Sequence, residues 1–358
     1  MPCRQPLRHR TTADRRRFLE ESLLVAAALP ALGRVGFAQT GQVNVYNWDT
    51  YIGETTLQEF TEATGIAVRY DLYASNDELF AKLREGNPGY DVIFPTSDYV
   101  ERMTVADMLL PLDHTKIENL ANIDPAFADP AFDPGLAHSV PYFWGTVGIG
   151  YRVSKGSPKA WADLFEGEAY AGRISVLNAV DTILSALKYL GHSLNTQDPA
   201  QIREAADRLI EIKPRIKAFA PDTGQDLLIA GEVDACMEYN GDVLQVMEED
   251  DDLSYVVPAE GAILWADNMC IPKGGPNPDN AHAFINFILE PEVHGAIATY
   301  VQYACPNAAA LEFIPEADRE NRALYPPREV LDRCEAATYK GEEVESLYAD
   351  ALTRVLAA

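Results

Sequence analysis

The chain of 358 residues is 47% hydrophobic, which suits a packed globular protein and is too long for one small core, so two lobes of roughly 100–200 residues are expected. Its formal charge of −26 becomes −30 once residues 1–38, with their seven Arg and three acidic residues, are set aside. Such an acidic surface argues against nucleic acid and anionic membranes as partners and favours cationic ligands, although surface acidity also serves solubility.

Residues 1–38 read as an export signal of the twin-arginine type. Arg15-Arg16-Arg17-Phe18-Leu19 precedes an apolar run over 23–32 and a small-residue site at Gly36-Phe37-Ala38. A run of about ten residues is too short to cross a bilayer core of ~30 Å, so a soluble exported protein is expected, with an ordinary Sec signal as the alternative route. Cys3 leaves with that segment. Cys236, Cys270, Cys305 and Cys334 remain, and in an oxidising compartment they permit one or two disulfides or buried thiols. No CxxC or Cys/His spacing points to zinc, and neither a metal nor a cofactor is expected.

In chain order, the alternating stretch Val43-Asn44-Val45-Tyr46-Asn47 predicts a strand that runs into Trp48-Asp49-Thr50-Tyr51. Leu57, Phe60 and Thr64 share a helix face that stops at Gly65, and 66–72 alternates as a second strand. Asn76 is positioned to cap a helix over 77–85, a strand follows over 90–94, and Pro95-Thr96-Ser97-Asp98-Tyr99 leads into another helix. Strands separated by crossover helices pair in parallel and bind ligands beyond their carboxyl ends, which places the Trp48 and Thr96 turns on one rim.

Asp-Pro pairs make 111–141 an irregular covering segment. Extended residues 140–148, with flanking glycines that allow a bend, read as the first crossover into a second lobe. There a strand over 173–177 turns at 178–181 into a helix over 182–190, and Asp198-Pro199 opens another. A strand over 233–239 turns at Asn240-Gly241-Asp242 into a helix over 243–249, and the acidic run 248–252 reads as a solvated loop. Residues 263–271 carry Trp265 and Asp267 back to the first lobe. Helices follow over 280–289 and 292–301, then Tyr303, and a last amphipathic helix covers 343–356.

The turns together offer Trp48, Asp49, Tyr51, Thr96, Asp98, Asp181, Tyr239, Asp242, Trp265, Asp267 and Tyr303, an aromatic and acidic set without Arg or Lys. Ring faces attract ammonium groups by ~0.5–2 kcal/mol each, and carboxylates add charge-assisted hydrogen bonds of ~1.5–3 kcal/mol. The set therefore suits an elongated organic cation; an anionic ligand would call for Arg or helix N-termini. Each member also has a plainer reading: Trp48 and Trp265 as core aromatics, Asp98, Asp181 and Asp242 as helix N-caps. Capping does not explain why aromatic residues share those turns.

Val45-Tyr46-Asn47-Trp48-Asp49-Thr50-Tyr51-Ile52, Tyr90-Asp91-Val92-Ile93-Phe94-Pro95-Thr96-Ser97, Val140-Pro141-Tyr142-Phe143-Trp144-Gly145-Thr146, Trp265-Ala266-Asp267-Asn268 and Leu324-Tyr325-Pro326 stand in the order seen in the spermidine/putrescine-binding periplasmic proteins of polyamine ABC transporters, which the chain resembles from about Gln42 to its C-terminus. The resemblance implies an α/β periplasmic-binding-protein fold of type II, each lobe a sheet flanked by helices and joined by crossover hinges. It places the first lobe at 42–145 and 270–306 and the second at 146–269 and 307–358. It implies a monomer that captures a polyamine in the periplasm and delivers it to inner-membrane permease subunits, and not an enzyme.

Residue by residue, Trp48 and Tyr51 match aromatics around the ligand, with Asp49 and Thr50 in the polar part of that motif, and Thr96 stands where the family commonly has Ser. Asp181 matches an acid that meets an amine, and Asp242 an acid of putrescine-type members. Trp265, Asp267 and Tyr303 match the aromatic wall and central carboxylate. Asp98 replaces an aromatic, Tyr239 replaces a Trp, and Asn178 stands where the family can place a further acid, so putrescine and spermidine both remain open. The rival readings are a binding protein or sensor for another organic cation, and a secreted carboxylate-dependent hydrolase, which no nucleophile elbow or metal motif supports.

Overall fold

The computed structural model describes residues 41–358; the expected export signal lies outside them. The strands are β1 (Gln42–Trp48), β2 (Ala67–Tyr73), β3 (Val92–Ile93), β4 (Ser139–Arg152), β5 (Ile174–Leu177), β6 (Ile216–Ala220), β7 (Ala235–Tyr239), β8 (Leu253–Val256), β9 (Ile263–Cys270) and β10 (Glu335–Ala336). They lie in the order β2-β1-β3-β9-β4-β7-β5-β6, with β8 added to β4 and β10 to β9.

Two parallel groups are embedded in this order. β1 pairs in parallel with β2 and β3, and β5 with β6 and β7. The returns run through helices, as parallel pairing requires: Thr56–Thr64 and Asn76–Arg84 in the first group, Asp181–Tyr189 and Pro199–Ile212 in the second. The antiparallel ribbon of β4 and β9 joins them, β9 meeting β3 at Cys270↔Ile93 and β4 meeting β7 from Val147↔Tyr239 onward.

Each group has its own core. Val43, Phe60, Val92, Phe94 and Phe284 bury one, and Ile149, Val176, Ile183, Leu209 and Tyr348 the other. Tyr239 and Trp265 pack against both. The architecture is two-lobed α/β, as expected, and in such sheets ligands bind beyond the carboxyl ends of the parallel strands.

Several local expectations need correction. Ser75, not Asn76, caps the helix Asn76–Arg84, its hydroxyl accepting from the Glu78 amide, while Asn76 Nδ2 donates to Thr96 Oγ1 at 2.8 Å. β4 runs for 14 residues through the glycines at 145, 148 and 150, its register against β9 shifting between Pro141 and Phe143. A Cβ on Gly145 would stand 2.2 Å from Asn240 Oδ1 and 2.6 Å from the Trp265 ring, so that glycine makes room for cross-strand neighbours. Strand β6, the helix Gly224–Ile229 and strand β8 went unpredicted. The four cysteines are free thiols, three of them buried. Among the described residues no helix is long and apolar enough to cross a membrane.

Candidate functional site

The ends of β1 and β2 meet at Trp48↔Tyr73, where the rings lie 4.6 Å apart. Trp48 Nε1 and the Tyr73 hydroxyl both donate to the Phe94 carbonyl, at 2.9 and 2.7 Å, which fixes the Trp48 ring at the exit of β3. Asp49 is exposed and accepts from the Thr50 amide at 2.9 Å, in a turn where Thr50 has φ 52°; it caps no helix. Tyr51 is buried edge-on against Tyr142 and Tyr303, at 5.2 and 5.6 Å, and its carbonyl accepts the Tyr142 hydroxyl.

Asp267 sits on β9 opposite Phe143 and forms an isolated antiparallel bridge with Thr96. It is 6% exposed and its Oδ1 has no hydrogen-bond partner. Burial pushes its carboxyl up to about 8; the nearby Tyr51 hydroxyl opposes this and the Asp98 charge adds to it. Thr96 Oγ1 donates to Asp98 Oδ1 at 2.7 Å. Asp98 is raised by burial, with Thr96 and the Lys340 charge pulling it down. Asp181 is pushed up to about 6, first by burial and then by Asp98 and Asp222.

On the other side of Asp267 stands an aromatic wall. Trp265 meets Tyr303 at 5.0 Å and Tyr239 at 6.0 Å, both nearly perpendicular, and its indole N–H has no partner. The Tyr303 hydroxyl donates to Asp242 Oδ2 at 2.7 Å. Burial, then Asp222, holds Asp242 well above the ordinary carboxylate range.

The capping alternative fails for all three acids. Asp98, Asp181 and Asp242 lie inside the first turns of their helices, and the N-cap positions Thr96, Val180 and Tyr239 make no side-chain cap. The basic residues of two of those helices are engaged elsewhere, Arg102 on Glu342 and Lys188 on Glu335. The structure thus brings Tyr51, Thr96, Asp98, Trp265, Asp267 and Tyr303 together, with Asp181, Tyr239 and Asp242 on the facing elements. Asp49 lies on an exposed turn, close enough for its charge to help raise Asp222.

Sequence reasoning missed Tyr73, Asp222 and Glu238. Glu238 carried a signal: an acid inside the apolar strand β7, next to Tyr239. Asp222 follows β6, the strand that was not foreseen. These two acids and Asp242 hold carboxylate oxygens all within 4.8 Å of one another, a set able to surround a cation.

Residues 55–322 match the model of the family described as bacterial extracellular solute-binding protein. The chain is 34% identical to the spermidine/putrescine-binding periplasmic protein of Salmonella typhimurium, over 87% of this chain and 91% of the relative. It is 31% identical to the putrescine-binding periplasmic protein PotF of Escherichia coli, over 93% and 96%. Among solved structures, the spermidine/putrescine ABC transporter substrate-binding protein PotD of Streptococcus pneumoniae superposes with a TM-score of 0.79 at 37% identity, covering 89% of this chain and 99% of that one. The chain belongs to the bacterial extracellular solute-binding proteins.

Proposed function

We propose that the protein captures putrescine or spermidine in the periplasm and hands it to the inner-membrane permease of an ABC transporter, binding its ligand without chemical change. The observation that carries this reading is Asp267, a nearly inaccessible carboxylate with a free acceptor oxygen between Thr96 and an aromatic wall. Such a group is costly until a cation meets it. Trp265, Tyr303 and Tyr51 offer ring faces and edges to the methylenes and ammonium groups of an extended amine. The names of the relatives agree with both ligand and compartment.

The first lobe comprises 42–145 and 270–306 and the second 146–269 and 307–358, with β4 and β9 as the crossing strands. Asp267, Thr96, Asp98 and Tyr51 then meet the ligand from one lobe or the ribbon, and Asp181, Tyr239 and Asp242 from the other. A ligand touching both sides stabilises the closed state by its differential affinity for it. Calorimetric titration of the mature protein should give saturable binding of putrescine or spermidine. Absence of heat and of thermal stabilisation with putrescine, spermidine, cadaverine and agmatine would reject the proposal.

A further inference from the structure

The cleft holds a second acidic pole. Asp222 comes from the loop after β6, Glu238 from the end of β7 and Asp242 from the helix Asn240–Met247. Glu238 is fully buried, and its two oxygens accept the backbone amides of Tyr239 and Gly224 at 3.0 and 2.9 Å. Burial and the mutual repulsion of the three groups push Glu238 and Asp242 well above their ordinary range. Carboxyl groups this close favour their neutral forms when alone, and a cation among them favours the charged forms.

A separate feature points the same way. Ser175 is fully buried on the neighbouring β5, and its hydroxyl has no partner. Its Oγ lies 3.3 Å from the point where a Cβ of residue 224 would stand, and Glu238 Oε2 lies 2.5 Å from that same point. Because residue 224 has no side chain, the Glu238 carboxylate and the unpartnered Ser175 hydroxyl both come close to its backbone.

We propose that Asp222 and Glu238 join Asp242 as specificity-determining residues that cradle a primary ammonium at one end of the ligand. The inference rests on the polyamine reading above and adds which end group the site selects. A primary ammonium has three N–H donors for three acceptors. With oxygens no more than 4.8 Å apart, a nitrogen at their centre lies within about 2.8 Å of each, the usual length of a charge-assisted N–H···O bond. A secondary amine, with two N–H groups and two carbon substituents, leaves one oxygen unmet. The Tyr303 ring packs beside Tyr51, which faces Asp267, while its hydroxyl reaches Asp242, so it gives an alkyl chain a surface between the two acidic poles.

The test is calorimetry on mature wild-type, Asp222→Asn and Glu238→Gln protein, titrated with putrescine, N,N′-dimethylputrescine, Ca2+ and Mg2+, with the melting temperature of each ligand-free protein. Each variant should weaken putrescine about tenfold or more; the ligand-free melting temperature should hold or rise in Asp222→Asn, where repulsion is relieved, and fall in Glu238→Gln, whose new amide N–H meets one of the two backbone amides that Glu238 accepts. The wild type should prefer putrescine over the dimethylated diamine, and the variants should lose most of that preference. Putrescine affinities within twofold of wild type would overturn the assignment, as would variants that lose Ca2+ or Mg2+ binding and keep the amine. If Glu238→Gln does not fold, Asp222→Asn, on an exposed loop, still decides. A wild type that binds no polyamine at all rejects the proposed function; a wild type that binds with indifferent variants rejects this inference alone.

Discussion

Thr96 and Asp267 face each other across an antiparallel bridge, and the hydroxyl of Thr96 is turned away to Asp98. The acid in the middle of the cleft is therefore left without a side-chain donor from its nearest backbone partner. An Asp267→Asn variant keeps the shape and removes the charge, and should weaken polyamine binding by ~1.5–3 kcal/mol, roughly 10- to 150-fold. Calorimetry checks this, and an unchanged dissociation constant would remove Asp267 from the site.

The same residue sets a pH dependence. In the folded, ligand-free protein its carboxyl keeps a proton up to about pH 8, whereas in the unfolded chain it titrates at the ordinary 3.8. Between those values the native state binds more protons, so the stability this group contributes is complete below the unfolded value and is lost as pH rises to about 8, at up to about 1.4 kcal/mol per pH unit. Denaturant unfolding of wild type and Asp267→Asn at pH 5 and pH 8 isolates the group: wild type should lose more stability than the variant between them. Binding of a dication should release a proton at pH 7, visible as an observed heat that varies with the ionisation enthalpy of the buffer.

Tyr303→Phe deletes the hydroxyl that Asp242 accepts and leaves the ring against Tyr51 and Trp265. A loss of about 1 kcal/mol in stability is expected, with a weaker putrescine affinity and an intact near-ultraviolet spectrum. Loss of the aromatic signal would mean that the hydroxyl organises the wall and not only Asp242.

Gly145→Ala places a methyl group 2.2 Å from Asn240 Oδ1 and 2.6 Å from the Trp265 ring. Overpacking of this kind should cost about 1–3 kcal/mol in urea unfolding and lower ligand affinity by displacing Trp265. A variant as stable as wild type, with normal affinity, would contradict the tight placement.

Arg102, largely buried and lying 4.1 Å over the Phe80 ring, makes a two-pronged contact with Glu342 at 2.8 and 2.7 Å, and the Tyr339 amide donates to Glu101. These contacts tie the helix Ser97–Val105 to the C-terminal segment. Glu342 is largely exposed, so Arg102→Ala should cost only about 1 kcal/mol of stability. If the lobe boundaries proposed above hold, it should also enlarge the ligand-free radius of gyration in X-ray scattering and leave the saturated form unchanged.

Much of this was legible from residue order. Period and capping signals located the first parallel group, and the aromatic and acidic turns named most residues around Asp267. What escaped had physical causes. Strand β6 is five residues long, follows Lys213-Pro214-Arg215 and carries Lys217, and the helix Gly224–Ile229 is too short to show a period, so Asp222 had no predicted element to place it. Nor does sequence separate acids that are satisfied from acids that are not. Asp91 is fully buried yet accepts the amides of Asn44 and Asn277, at 2.8 and 2.7 Å, and is structural. Asp267 has no such donor for its Oδ1.

The register of β4 against β9 puts Asp267 on the strand pair that crosses between the two cores. A residue on the axis of a rotation barely travels, whereas residues out on the arms sweep through an arc. If the lobes close about these crossing strands as proposed above, the first ammonium group docks at the pivot at almost any degree of opening, and Asp181 and Asp242 arrive afterwards as the arms swing in. Docking at the pivot should then govern the association rate, and the arriving acids the residence time.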